Sequence, residues 1–145
     1  MRTTAILTAC LALLPVTAIA AAPPPLSAAD AWVRVVPGAE VAAAYLTLHN
    51  GGSDPVTVVG VRSPLAGMAM IHETQLTGTR SSMRARAQLV VAPGATVHFA
   101  PGGLHVMLHQ LTRPLQPGDE VPLVLLLAGG GTLAVTARVR PLTQP

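Results

Sequence analysis

"TLAVTARVR", residues 132–140, alternates apolar and polar side chains with a period of two. Leu133, Val135, Ala137 and Val139 fall on one side, with Thr132, Thr136, Arg138 and Arg140 largely on the other. Successive strand residues point to opposite faces, so this pattern predicts a strand with one face in a core. Short segments of similar length precede it: "AWVRVV", "AAYLTLHN", "VTVVGVRS", "MAMIHETQ", "MRARAQLVV", "TVHFA", "LHVMLHQL" and "VPLVLLLA". Between them stand "PGAE", "NGGSDP", "APGA", "PGG", "QPGDE" and "GGG", all of them turn chemistry. Many short strands without an amphipathic helix or internal repeat predict an all-β sandwich or barrel.

The chain has 145 residues, of which 50% are hydrophobic and 10% charged, so one domain with a real core is expected. Its formal charge of +3 comes entirely from scattered arginines, since the sequence has no lysine. Trp32, Tyr45 and Phe99 are too few aromatics for a base-stacking surface, and nucleic acid is not an expected partner.

"MRTTAILTACLALLPVTAIAAA" has one arginine, an apolar stretch and then small residues, the layout of a secretory signal. Residues 1–20 are read as that signal, with cleavage after Ala20, and 21–30 as a Pro- and Ala-rich leader. The domain is assigned to 31–141 and a short tail to 142–145. "LTAC" at 7–10 resembles a lipoprotein processing box, but the apolar run before Cys10 is short for a signal core. If Cys10 leaves with the signal, no cysteine remains for disulfides, thiolate catalysis or metal ligation. No other segment approaches the roughly 20 apolar residues of a membrane span.

Two segments carry potential chemistry. In "LHVMLHQL", His105 and Met107 share one face while Leu104, Val106 and Leu108 face the other way; His109 follows on the first face. In "MAMIHETQ", Met68, Met70 and His72 share a face, and Met83 comes next in the polar "TGTRSSMRA". Thioether sulfur with imidazole nitrogen selects Cu(I) over harder ions, whereas zinc favours added thiolate or carboxylate and calcium needs clustered oxygens. Methionine in a β-protein ordinarily fills core, and a lone histidine such as His49 or His98 ordinarily makes a surface hydrogen bond. Residue types alone therefore leave copper binding and plain packing both open. Glu73 is read as a solvated acid or, less simply, as a group that orients His72. There is no GxSxG, no HExxH and no useful acid pair, so an enzyme is not expected.

Spacing adds a resemblance. His72, ten residues, Met83, twenty-one residues, His105, one residue and Met107 resemble the signature of the PCuAC-type periplasmic copper chaperones. "AWVR", "AAYLTLHN", "VRSP", "HET", "APGATVHFAPGGLHVML" and "PLQPGDEVPLVL" resemble that family in order, from Ala31 to Arg140. The resemblance implies a single cupredoxin-like β-sandwich of Greek-key type, with His72, Met83, His105 and Met107 as ligands of one Cu(I). It also implies a monomeric carrier that delivers copper to the dinuclear copper centre of cytochrome c oxidase, alongside Sco-type proteins. Storage or resistance is the alternative use of the same binding, and a non-metal structural sandwich the alternative without it. Two departures stand out: Ser81 occupies a position where members often have another methionine, and the chain ends "RPLTQP" rather than in a His- and Met-rich tail. A weaker Cu(II) site would then fall to His49, His98 or His109, while Met68 and Met70 are read as packing, rim or reserve thioethers.

Overall fold

The computed structural model describes residues 25–142, all of them in strands, turns or irregular backbone. The strands are β1 (Leu26–Val35), β2 (Val41–Asn50), β3 (Val56–Arg62), β4 (Ala66–Thr77) and β5 (Arg80–Ala85). They continue with β6 (Leu89–Val91), β7 (Thr96–His98), β8 (Leu104–Leu111), β9 (Glu120–Leu127) and β10 (Thr132–Val139). The hydrogen-bonded path is β5-β4-β8-β2-β1-β10-β9-β3-β6, with β7 also on β2. Every pairing is antiparallel except β1 with β10, which run parallel over Trp32–Val33 and Arg138–Val139. The path folds back until β3 lies alongside β4. The expected all-β, cupredoxin-like sandwich is what forms.

Alternation builds the core. Val106 and Leu108 of β8, Leu46 and Leu48 of β2, Val33 of β1 and Leu123 and Leu125 of β9 are all buried in one cluster. Burying such a side chain is worth about 1.5–3 kcal/mol, so each strand is held with its Leu/Val face inward. In β10, Ala137 and Val139 are buried and Leu133 and Val135 half-buried, the alternation of the opening segment.

Two boundaries differ from the sequence expectation. β1 begins at Leu26, which is 1% exposed, so five residues read as leader belong to the strand. Ser27, Ala28 and Ala29 pair with His49, Leu48 and Thr47; the register then slips before Trp32, where Asp30 has φ 52°. That bulge shifts the alternation by a residue, and small alanines give it little contrast to begin with. "MRARAQLVV" divides into β5 and β6, which sit at opposite ends of the sheet path. The expected signal sequence and its cleavage point, and residues 143–145, lie outside the described residues.

Asn50 fixes the turn after β2. Its buried side chain donates to the carbonyls of Asp54 (2.8 Å) and Val91 (2.9 Å) and accepts from the Gly52 amide (3.0 Å). Both donor hydrogens and the acceptor are satisfied, which is what permits a wholly buried amide.

Candidate metal centre

Four of the five methionines fall within the described residues, Met68, Met70, Met83 and Met107, and none belongs to the core cluster or packs against it. The register explains why. Ile71 opposes Val106 and Ala69 opposes Leu108 on the inward face of β4 and β8. The alternate pairs, His72 with His105, Met70 with Met107 and Met68 with His109, therefore stand together on the outward face. β5 joins on the other side of β4, with Met83 opposite Thr74 and so on the same face, diagonal to His72. A glycine makes that hairpin possible: Gly78 has φ 62°, the left-handed region that its turn requires.

This outward face is a grid with rows roughly 6–7 Å apart along the strands. Met83 occupies the first row, His72 and His105 the second, Met70 and Met107 the third, Met68 and His109 the fourth. The four residues picked out by spacing come from three adjacent strands and occupy three adjacent rows. On β2, Ala43 opposes Met107 and Val41 opposes His109. Core-filler methionine, the ordinary alternative, has no support from this burial pattern.

The imidazoles are set up differently from one another. His105 is 5% exposed, and its Nδ1 lies 3.0 Å from the Gly103 carbonyl. A carbonyl can only accept, so Nδ1 carries the proton and Nε2 keeps a free lone pair. Tyr45 flanks the ring at 6.4 Å and itself rests on Trp32 at 4.5 Å, an aromatic row that holds the imidazole in place. The His72 ring stands 5.9 Å from His105, nearly perpendicular, and 6.4 Å from His109. His72 Nδ1 and His109 Nε2 are both buried with no hydrogen-bond partner among the described residues. An unpaired buried polar atom costs about 1–3 kcal/mol, a cost that a bound cation would remove.

Burial, and then the neighbouring imidazoles of His105 and His109, hold His72 below its ordinary value of 6.5. The folded state thus favours neutral His72. Its contribution to stability is present above 6.5, the ordinary value, and is lost as pH falls through the lower folded one. The melting temperature of the metal-free protein is expected to fall between about pH 7 and about pH 5, and His72→Gln to flatten that fall. Equal slopes in the two proteins would remove His72 as the source.

Other candidates are accounted for. Glu73 stands on the alternate side of β4 and pairs with Arg86 at 2.9 Å, so it does not orient His72. His49 Nδ1 lies 3.0 Å from Thr96 Oγ1 and His98 Nδ1 lies 3.2 Å from Thr47 Oγ1, both in the β2–β7 ladder away from the methionines. Among the described residues no three His, Cys, Asp or Glu side chains form a metal-holding group, and the further soft donors on this face are thioethers. A cavity of about 450 Å3 between β1 and β10 is lined by residues such as Leu26, Asp30, Leu133 and Thr136 and has neither imidazole nor thioether. Sequence reasoning gave His109 no place in the four-residue pattern and only a possible share, with His49 and His98, in a weaker Cu(II) site. Its signal was present, two positions beyond Met107, but only the Met68 pairing and the neighbouring His72 ring give it a setting.

The LpqE-like family matches residues 26–139. A relative from Leifsonia xyli subsp. xyli (strain CTCB07), named "Putative lipoprotein Lxx21020", is 34% identical over 111 residues, 76% of this chain; the match spans 66% of that relative's length, just under two thirds. Among solved structures, apo-DR1885 from Deinococcus radiodurans is 32% identical, with a TM-score of 0.65 over 98% of this chain and 97% of that one. Its Cu(I) form matches at 32% identity and a TM-score of 0.64, over 89% of this chain and 85% of that one. The copper-bound PCuAC domain from PmoF2, at 22% identity and a TM-score of 0.68 over 82% of this chain and 95% of that one, shares the fold. Matched from its first described strand to its last, this chain belongs to the LpqE-like family of PCuAC-type proteins, the type that its His and Met spacing resembles.

Proposed function

We propose that the protein is a copper chaperone that holds one Cu(I) through His72, Met83, His105 and Met107. The observation that carries this reading is the placement of every described methionine, with three histidines, on one sheet face outside the core. Two thioethers and two neutral imidazoles suit a soft monovalent ion and need no thiolate. Support comes from DR1885, at 32% identity, whose structure is known in a Cu(I) form. The fixed Nδ1 proton of His105 leaves Nε2 as its donor atom. Met83, 59% exposed on the edge strand β5, is the donor that a partner would reach first. Stepwise replacement of neutral ligands in a docked complex, starting from exposed Met83, would release the ion without freeing it into solution.

The finer reading is delivery to the dinuclear copper centre of cytochrome c oxidase in the periplasm, alongside Sco-type proteins. Binding and transfer, rather than catalysis, is the role. The name of the Leifsonia relative, "Putative lipoprotein Lxx21020", supports export; export with cleavage after Ala20 would remove Cys10 from the mature protein. Among the described residues no helix is long and apolar enough to cross a membrane.

Competitive Cu(I) titration under anaerobic reducing conditions tests the binding. One tight equivalent is expected, weakening between about pH 7 and about pH 5 because protonated imidazole cannot ligate. Incubating the loaded protein with the copper-free oxidase subunit domain then tests delivery. Tight retention without transfer would favour storage or resistance, and no tight equivalent would leave a structural sandwich.

A further inference from the structure

Three soft donors on the same face lie outside the four-residue pattern: Met68, Met70 and His109. Met68 opposes His109 directly, and Met70 stands one row away on the same strand. Together with Glu40, Val41 and Gln110 they line a surface cavity of about 400 Å3. Met68 is 46% exposed, yet His109 Nε2 is buried and lacks a hydrogen-bond partner among the described residues. A buried imidazole nitrogen beside two thioethers, in a cavity with room for an ion, is a donor set without its acceptor.

The backbone here is also unusual. Gln110, the residue after His109, has φ 54°, a conformation few residues other than glycine adopt. Across the ladder, a Cβ on Gly67 would lie 2.6 Å from Gln110 Oε1, so the glycine provides the space that this side chain occupies. Strain of this kind tends to persist where the surroundings impose it, often at functional positions. Gln110 lines the cavity with Met68 and His109, its side chain in the space that Gly67 leaves.

We propose that Met68, Met70 and His109 form a second position for a soft monovalent cation, one row beyond the first and adjoining it through His72. The His72 ring has His105 at 5.9 Å and His109 at 6.4 Å. Two imidazoles that share an ion need ring centres roughly 6 Å apart, given metal–nitrogen bonds of about 2 Å. His72 is therefore within reach of an ion on either side, and cargo can pass between an exposed position and a more buried one. The Glu40 carboxylate in the same cavity offsets part of the repulsion between two cations held this close. The inference rests on the reading that this face takes a soft ion, but its donors are different residues, so the two assignments can fail separately.

Silver(I) is the probe, a soft monovalent ion that does not change oxidation state under these conditions. It would be titrated into the full chain carrying methyl-labelled methionine, with the methyl resonances and the bound stoichiometry followed together. Silver is expected to move the Met83 and Met107 methyls first and the Met68 and Met70 methyls at the second equivalent. In a Met68→Leu/Met70→Leu/His109→Asn variant, the second equivalent should weaken by about tenfold or more while the first is unchanged. Silver that moves only Met83 and Met107 overturns the second position and supports the first. Silver that moves Met68 and Met70 but never Met83 or Met107 supports this position and overturns the four-residue one. No bound silver overturns both. The wild-type resonances decide among these outcomes even if the variant folds poorly.

Discussion

His105→Ala is expected to lower Cu(I) affinity by about a hundredfold or more, measured by anaerobic competition with a Cu(I) chelator. His105 is the donor whose geometry is most fully determined. Its Nδ1 is committed to the Gly103 carbonyl, its ring is 5% exposed, and Tyr45 backed by Trp32 limits its rotation. Removing it leaves His72 and the two thioethers on flanking rows with no donor directly across the ladder. The fold should tolerate the change, because the Gly103 carbonyl also accepts from the Thr74 amide at 3.1 Å. His98→Ala is the matched control: that histidine pairs with Thr47 in the β2–β7 ladder, and affinity should not change. Equal affinity in wild type and His105→Ala would exclude His105 from the ligand set.

Adjacent residues on β8 should separate stability from binding. Leu108→Ala is expected to destabilise the protein by about 2–5 kcal/mol in urea unfolding, since a fully buried leucine leaves a cavity that the packed sheets only partly close. Met107→Leu, a near volume-conserving change outside the core, should cost less than about 1.5 kcal/mol. Copper should respond in the opposite order, with tight binding lost in Met107→Leu and kept by the folded fraction of Leu108→Ala. If Met107→Leu were the more destabilising, Met107 would be packing residue rather than ligand. Both measurements follow from a single fact, that position 107 faces outward and position 108 inward.

How much of this was readable beforehand differs between the core and the site. Wherever Leu or Val alternates with polar residues, as in β8 and β10, strand, face and burial follow from local chemistry. β1 resisted because "LSAADA" has little contrast in hydrophobicity and a bulge resets its period at Asp30. "MRARAQLVV" resisted because one apparently continuous segment feeds two ends of the sheet. Among the site residues, His105 and Met107 could be placed on a common face from the sequence, as could Met70 and His72, because each pair is two apart on one strand.

Local periodicity determined, by itself, that the chain is all-β, which face Leu and Val bury in strands such as β8 and β10, and that imidazole and thioether share a face within two segments. Only the tertiary structure decided which strands are neighbours, because pairing depends on topology and register rather than on any one strand's composition. The β4–β8 register sets His72 against His105 and Met68 against His109, and the β4–β5 hairpin brings Met83 onto the same face. A slip of one residue in the β4–β8 ladder would turn the donors of one strand toward the core, and the buried face of Ile71, Val106 and Leu108 is what prevents it.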